Sequence, residues 1–416
     1  MNWDNIYKIL DKYTQYKHYV LFFEKYRLDL KNSREKMARE LEKAVEDHGF
    51  LGPVISQNIL EDWLVSHQID GNNYTFVYQL LNPVNLEILK QRYEHRAEFI
   101  DLKLWEIDPT NDSKELALVM PELDDTKLIG IQTDENKETF TFSFVSPCII
   151  NGVEKDGSNR LYKKMFFSHV VFFTETKDFK IVFNPTANLV NVNGVKKEKR
   201  NDWTSIADHI LCKVKQFIGD DFFIQSPKWI PEAFYRLAED ATQHKNPKIT
   251  EASFRAQERI EKFATSLLSG AGLDIDFEPA LMDKFIQDIQ ISFEAQLIEK
   301  LGYNDDENSI SIFKQRSDGV THIINVESTE EGFKGGSAAQ AARRSRLDGD
   351  IDLLGVILKK DGRVYKFLVE YGPDAYLIRG TNTFIEEEVV NIVIRQLNEY
   401  RSEIQNSQII NSENGT

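Results

Sequence analysis

The stretch GDIDLLGVILKKDGRVYKFLVEYG, residues 349–372, carries the clearest structural pattern in this chain. Two apolar runs flank KKDG, which is typical of a tight turn between antiparallel strands. We therefore predict that the two runs pair as a hairpin. Counting back from the turn places Asp352 across from Val369 or Glu370, at the open end of the hairpin.

Three carboxylates collect at that open end. Strand side chains two residues apart point to the same face, so Asp350, Asp352 and Glu370 can share one face. Three like charges on apolar strands repel one another, and a divalent cation would neutralise them. Carboxylate oxygens suit Mg²⁺ or Mn²⁺, so we predict a site for one of these metals. The alternative is that the three acids simply lie in solvent at a strand end.

This arrangement resembles the PD-(D/E)XK nuclease superfamily, in which an Asp opens one strand and a Glu-x-Lys closes the next. The resemblance covers about 290–405, roughly a quarter of the chain. It implies a metal-dependent hydrolase of phosphodiester bonds, an endonuclease, with Asp352 and Glu370 as catalytic carboxylates. The residues that it further implies for the site are Glu294 or Glu299 on the preceding helix, and Gln396 and Tyr400 in QLNEY of the closing helix.

The motif lysine of that superfamily is missing, because Gly372 stands two residues after Glu370. Without it, no ammonium is placed there to stabilise the phosphorane-like transition state. Lys366 lies on the same strand face, but too far along the strand for a simple substitution. Either a cation from elsewhere serves the site, or the domain binds nucleic acid without cutting it.

Basic side chains are frequent around the predicted acidic site. Phosphate contacts position a nucleic-acid strand and come mainly from Lys and Arg. A nucleic-acid partner, DNA in the first place, is therefore predicted, although a solvated basic loop is an equally simple interpretation. The predicted contact residues are Lys334, Arg343, Arg344, Arg346 and Arg379.

A competing pattern uses some of the same residues. Gly336-Ser337, separated by twelve residues from Asp350-x-Asp352, resembles the nucleotidyltransferase signature. In that family the Gly-Ser turn and the next helix hold nucleotide phosphates, and the Asp residues with a third carboxylate bind two Mg²⁺ ions. Glu370 would be the third carboxylate. A non-catalytic module that binds nucleic acid or protein is the third hypothesis.

Periodicity divides the chain into regions and predicts an α+β multidomain protein. Helical spacing of apolar residues and alternating, Phe-rich strands follow one another along the sequence. The predicted regions are a helical N-terminal region at 1–114, an antiparallel β-rich module at 115–202, a helical middle region at 203–289, an α/β nuclease-like domain with a mixed sheet at 290–405, and a disordered tail at 406–416.

The 416 residues carry a net charge of −16, which argues against a protein that coats nucleic acid but not against a nuclease with a local basic patch. No apolar stretch is long enough for a membrane span, so we predict a cytoplasmic protein with no membrane partner. Cys148 and Cys212, with no CxxC pattern, are expected to be buried. The architecture resembles bacterial anti-phage (antiviral) defence effectors such as the Shedu-like nucleases, which implies that the first 300 residues sense a trigger or build a homo-oligomer or a complex with a partner protein.

Overall fold

The structure is a computed structural model that describes residues 1–46, 52–109, 123–153, 157–199, 201–219, 222–244, 246–273, 279–302, 310–319, 323–328, 332–333, 336–381 and 384–414. Helices and antiparallel strands alternate along the chain, as the α+β prediction requires. In the described part of the chain, none of the helices combines the length and the apolar character that a membrane crossing demands.

The helices are α1 (Trp3–Tyr13), α2 (Tyr16–Tyr26), α3 (Arg34–Glu46), α4 (Gln57–Ser66), α5 (Leu86–Glu94), α6 (Arg96–Phe99), α7 (Thr204–Ile218), α8 (Ile230–Thr242), α9 (Pro247–Gly270), α10 (Pro279–Leu301), α11 (Gly336–Asp348) and α12 (Glu387–Asn414). The strands are β1 (Tyr74–Leu80), β2 (Lys127–Thr133), β3 (Thr139–Val153), β4 (Asn159–Phe173), β5 (Asp178–Phe183), β6 (Leu189–Val192), β7 (Ile224–Gln225), β8 (Ile310–Gly319), β9 (Ile323–Glu327), β10 (Gly349–Lys360), β11 (Arg363–Glu370) and β12 (Ala375–Gly380).

Two compact units divide the chain. Unit 1 contains residues 1–227 and 373–387, and unit 2 contains residues 228–372 and 388–416. These two units do not coincide with the regions predicted from sequence periodicity. The short segment 373–387 belongs to unit 1, although the residues on both sides of it belong to unit 2.

Unit 1 is built on an antiparallel sheet with strand order β2-β3-β4-β5-β1-β12, with β6 beside β3 and β7 beside β1. Neighbouring side chains on its strands enter two different cores. Phe166 packs in the cluster that contains Ile206 and Ile210 of α7, whereas Phe167 packs in the cluster that contains Ile9 of α1. Successive side chains of a strand point to opposite faces of the sheet, and this period of two is why the Phe-rich region could be predicted as β-strands from the sequence.

Strand β1 lies within the N-terminal region at 1–114 that was predicted to be helical, and this strand was not predicted. It pairs with β5 on one side and with β12 on the other, and nearly all of its residues are buried. A strand buried on both faces has a continuous apolar sequence, and YTFVYQL cannot be distinguished by period from a short piece of buried helix.

Three further expectations differ from the structure. The tail predicted to be disordered is helical as far as Asn414, because α12 continues through it. The basic stretch that contains Arg343, Arg344 and Arg346, interpreted in the sequence as a solvated loop, lies in α11 from Gly336 to Asp348, since Ala and Arg favour helix. Cys148 is buried as expected, but Cys212 is exposed on α7.

Unit 2 contains a sheet with strand order β9-β8-β10-β11. The predicted hairpin is confirmed, with β10 and β11 paired from Leu353↔Glu370 to Lys360↔Arg363. Helix α11 connects β9 to β10, α8 packs against β8 and β10, and α9 packs against α10. Each strand pairing within the described residues of unit 2 is antiparallel, which corrects the expected mixed sheet.

Two register shifts interrupt the pairing of β10 with β8, one between Ile351 and Leu353 and one between Gly355 and Val356. At the second, a Cβ on Gly355 would lie 2.6 Å from the Cβ of Lys314 and 2.8 Å from the ring of Phe313. Glycine is therefore required there by the close approach of the neighbouring strand.

We expect Gly355→Ala to lower the free energy of unfolding by about 1–3 kcal/mol, because the added methyl overpacks this contact. Urea denaturation of the full chain measures the change. Gly270→Ala is the matched control, since nothing lies within 4 Å of a Cβ there and alanine favours the helix. Equal denaturation midpoints for the two variants would contradict the assignment.

Candidate carboxylate site

The first register shift leaves Asp352 as an extra residue of β10 opposite β8. Such a β-bulge turns a side chain away from the regular alternation of the strand. Leu353 pairs with Arg316 of β8 on one side and with Glu370 of β11 on the other. The backbone N–H of Tyr371 donates to the carbonyl oxygen of Asp352 over 2.8 Å, which fixes the open end of the hairpin. The sequence estimate of this register was therefore close to the structure.

Arg316 joins the two predicted carboxylates. Its Nε lies 2.8 Å from Oδ1 and 2.9 Å from Oδ2 of Asp352, and its Nη2 lies 3.0 Å from Oε1 of Glu370. Hydrogen bonding to Asp352, as the largest cause, raises the pKa of the Arg316 guanidinium. We call Arg316, Asp352 and Glu370 the Arg316 cluster, and it brings a permanent cation to the acids.

The Arg316 cluster is half-buried, with each of its side chains 28–29% exposed. Two carboxylates and one guanidinium leave the cluster with a formal charge of −1. Partial exposure lets a solute reach the acids, and the residual charge favours a cation. Mg²⁺ is commonly held in proteins by one or two carboxylates together with waters and substrate phosphates, so the donor set of Asp352 and Glu370 suits it.

Asp350 does not belong to the Arg316 cluster. It is exposed and pairs in register with Asp318 of β8, beyond the first register shift. Within the residues that the structure describes, no group of three or more His, Cys, Asp or Glu side chains is placed to hold a metal ion. The predicted set of three carboxylates is thus present as a pair bridged by an arginine.

A second polar cluster lies beneath α11 in unit 2. The side chain of Arg346 is fully buried, and it donates to Glu239 of α8, to Gln315 of β8 and to Thr242 at distances of 2.8–3.0 Å. Gln315, also buried, donates to the hydroxyls of Ser317 and Ser345. Since each guanidinium nitrogen of the buried Arg346 bonds to a protein group, this guanidinium serves the packing of α11 and α8 and is not presented to a phosphate.

Glu294 is bound elsewhere in unit 2. Its carboxylate accepts from the hydroxyl of Ser253 over 2.6 Å and from Nη1 of Arg343 over 3.0 Å. Gln290 donates to the same hydroxyl over 3.2 Å. These bonds join α9, α10 and α11, so Glu294 and Arg343 pair with each other and not with the Arg316 cluster.

The other predicted site residues take separate positions. Arg344 pairs with Asp288, the Nζ of Lys366 lies 5.7 Å from the centre of the Phe313 ring, Gln396 donates to Glu399, and the hydroxyl of Tyr400 donates to Asp240 of α8. Glu299 is exposed on α10, and Arg379 lies in unit 1, where β12 pairs it with Tyr74 of β1. Lys334 and the side chain of Ser337 lie outside the described residues, although α11 begins at Gly336.

Arg316 is the residue that sequence reasoning missed. Its signal was present in SISIFKQR, where a charged side chain interrupts the apolar pattern of a strand. The signal has meaning only once β8 is known to lie beside β10, because sequence does not give the order of strands in a sheet. Comparisons with known proteins give no relative: no protein-family model, no curated protein and no solved structure matches this chain.

Proposed function

We propose that unit 2 is a metal-dependent phosphodiesterase that cleaves nucleic acid, DNA in the first place, with Arg316 in the role of the missing lysine. The single observation that carries the proposal is the Arg316 guanidinium bonded to both Asp352 and Glu370. An enzyme of this kind needs two acids and a cation within one small volume. The Arg316 cluster contains these three groups, and Asp350 is not needed for it.

Each residue has a chemical task in this proposal. Asp352 and Glu370 would hold Mg²⁺ or Mn²⁺, which supplies Lewis-acid polarisation of the phosphodiester and lowers the pKa of a bound water. Arg316 offsets one of the two carboxylate charges when metal and substrate are absent. When its carboxylate bonds are released, its planar fork of N–H donors suits two phosphate oxygens at once.

The nucleotidyltransferase hypothesis is the second candidate, because Gly336 and Ser337 are the first residues of α11 and a helix therefore continues from the Gly-Ser pair. It needs Asp350 as a metal ligand, and Asp350 is separated from the Arg316 cluster by the register shift. Consumption of nucleoside triphosphates that is lost in Asp350→Asn would favour the transferase.

The test of the phosphodiesterase is cleavage of linear, supercoiled and single-stranded DNA and of RNA by the full chain, with Mg²⁺, with Mn²⁺ and with EDTA. We expect cleavage only with metal, and none above the EDTA background for Asp352→Asn or Glu370→Gln, since each loses a charged ligand. Calorimetric titration with Mn²⁺ should show weaker binding for both variants.

Asp350→Asn is the matched control for these variants, because it removes an acid two residues from Asp352 that does not contact Arg316. It should cut and bind Mn²⁺ as the original chain does. Full activity in EDTA, or in both acid variants, would overturn the proposal. Nucleic-acid binding without cleavage under any condition would support the non-catalytic module instead.

A further inference from the structure

Unit 1 contains a cavity of about 360 Å³ between α2, α4, β2 and the residues around α6. Small-molecule sites in proteins fall in this range of size and combine aromatic walls with a few converging polar groups. The side chains that matter for its chemistry are His18, Lys25, Trp63, His67, Arg96 and Gln132.

The two histidines are uncharged parts of the wall. His18 accepts at Nδ1 from the backbone N–H of Gln15 and donates from Nε2 to the carbonyl oxygen of Asp70. His67 donates from Nδ1 to the carbonyl oxygen of Leu64 and accepts at Nε2 from the hydroxyl of Thr14. Burial lowers the pKa of His18 to about 4 and lowers that of His67 as well. Both rings are therefore neutral at pH 7, with their nitrogen atoms occupied by protein partners.

An aromatic surface continues from these rings. The half-buried Trp63 has its ring centre 4.7 Å from that of Phe22 and 5.0 Å from that of His67, with interplanar angles of 38° and 35°. The three rings hold one another in place, which leaves Trp63 as a fixed lining group. An aromatic ring of this kind can stack on a planar ring such as a nucleic-acid base.

Charged side chains line the same cavity. Lys25 and Arg96 are both exposed, and the guanidinium of Arg96 lies 4.7 Å from the centre of the Tyr93 ring. Two cations at one cavity attract an anionic group. The lining carboxyl groups of Asp62 and Asp70 act against them, and burial raises the pKa of Asp70 to about 7, which reduces its negative charge at neutral pH. The lining also contains Asp62, whose pKa is raised mainly by burial, and the amide of Gln132, which donates to the backbone oxygen of Asp62 over 2.6 Å. Carboxylate and amide groups recognise the N–H donors and acceptors of a heterocycle.

We infer that this cavity binds a mononucleotide, with the base against Trp63 and the phosphate at Lys25 and Arg96. An aromatic wall alone would take any apolar ring, and two exposed cations alone would take any anion. A base with a phosphate satisfies the wall, the cations and the polar edge formed by Asp62 and Gln132. The site belongs to unit 1 and is independent of the proposed cleavage by unit 2.

The experiment is calorimetric titration of the full chain with AMP, GMP, CMP and UMP, with the four nucleosides and inorganic phosphate as reference probes. We expect at least one mononucleotide to bind saturably, with a higher affinity than either its nucleoside or inorganic phosphate. The double variant Lys25→Ala/Arg96→Ala should weaken it about tenfold or more, equivalent to the loss of two charge-assisted contacts. Trp63→Leu, which keeps an apolar side chain without a stacking face, should weaken it by a similar factor.

The matched control is Lys43→Ala/Lys103→Ala, which removes two exposed lysines of unit 1 that do not line the cavity. It should change the Kd less than twofold. Thermal denaturation without ligand identifies any variant that fails to fold. If Trp63→Leu fails to fold, Lys25→Ala/Arg96→Ala still tests the inference, because both of its residues are exposed. No saturable binding of any mononucleotide, equal binding of phosphate alone, or unchanged binding by Lys25→Ala/Arg96→Ala would each overturn the inference.

Discussion

Replacing Arg316 by Gln is expected to slow metal-dependent cleavage by about 10²–10³-fold, the usual loss when one preorganised donor to a developing anion is removed. Glutamine cannot carry the charge that offsets Asp352 and Glu370 in the free protein and the phosphate in the complex. Lysine keeps the charge but loses the planar fork, so Arg316→Lys should recover part of the rate. Single-turnover cleavage measures both variants.

Metal affinity separates this role from a merely structural one. Arg316 competes with a metal for the same carboxylates, so Arg316→Gln should bind Mn²⁺ at least as tightly as the original chain while cutting more slowly. Without metal the variant should be less stable by about 1–2 kcal/mol, a value reduced for solvent screening of a half-buried site. Saturating Mn²⁺ should remove most of that difference, because it neutralises the same acids.

Arg395→Gln is the control, since it removes an exposed arginine of α12 that does not belong to the cluster. Its cleavage rate and stability should match those of the original chain. The relocated-cation proposal fails if Arg316→Gln cleaves at the original rate, or if its loss of rate is accompanied by an equal loss of Mn²⁺ affinity.

Arg346→Met is expected to lower the free energy of unfolding by about 3–5 kcal/mol, because it leaves two buried polar side chains and one partly exposed carboxylate without the guanidinium that they bond. The partners are Glu239, Gln315 and Thr242. Chemical denaturation of the full chain measures the change. Arg344→Met, at a side chain 47% exposed, should cost less than about 1 kcal/mol.

The double variant Arg346→Met/Glu239→Leu tests the cause of that loss. Replacing both members of an ion pair whose cation is buried removes the uncompensated carboxylate, so the double variant should be more stable than Arg346→Met alone. A double variant as unstable as the sum of the two single changes would show that Arg346 stabilises unit 2 by packing alone. If Arg346→Met changes the free energy of unfolding only slightly, Arg346 is again a candidate for contact with phosphate.

The hairpin and the approximate register of Asp352 and Glu370 were predictable because a turn and two apolar runs lie within two dozen residues of sequence. The bulge that separates Asp350 from the cluster was not, since it depends on how β8 pairs with β10. The partners of Arg343 and Arg346 lie on helices far away in sequence. Charge in the sequence identified these arginines but gave no information about which carboxylates they meet.

The contact with Arg316 also reverses the expected effect on stability of replacing Asp352 or Glu370. Sequence alone indicates crowded acids whose repulsion is relieved when Asp352 or Glu370 is replaced by Ala, which would leave stability equal or higher. With Arg316 bonded to both, each acid stabilises the fold without metal. Loss of either acid is now expected to lower stability modestly, and thermal denaturation in EDTA decides between the two signs.

The assignment of segment 373–387 to unit 1 has a consequence for synthesis on the ribosome. Strand β1 is complete when residue 80 is made, but its partner β12 follows only roughly 300 residues later, a very long separation for a sheet contact. Until then β1 has an unpaired edge along most of its length, and such edges recruit other chains. Unit 1 therefore finishes folding only after most of unit 2 has been translated, and its folding yield should depend on the chaperones that hold the nascent chain during that interval.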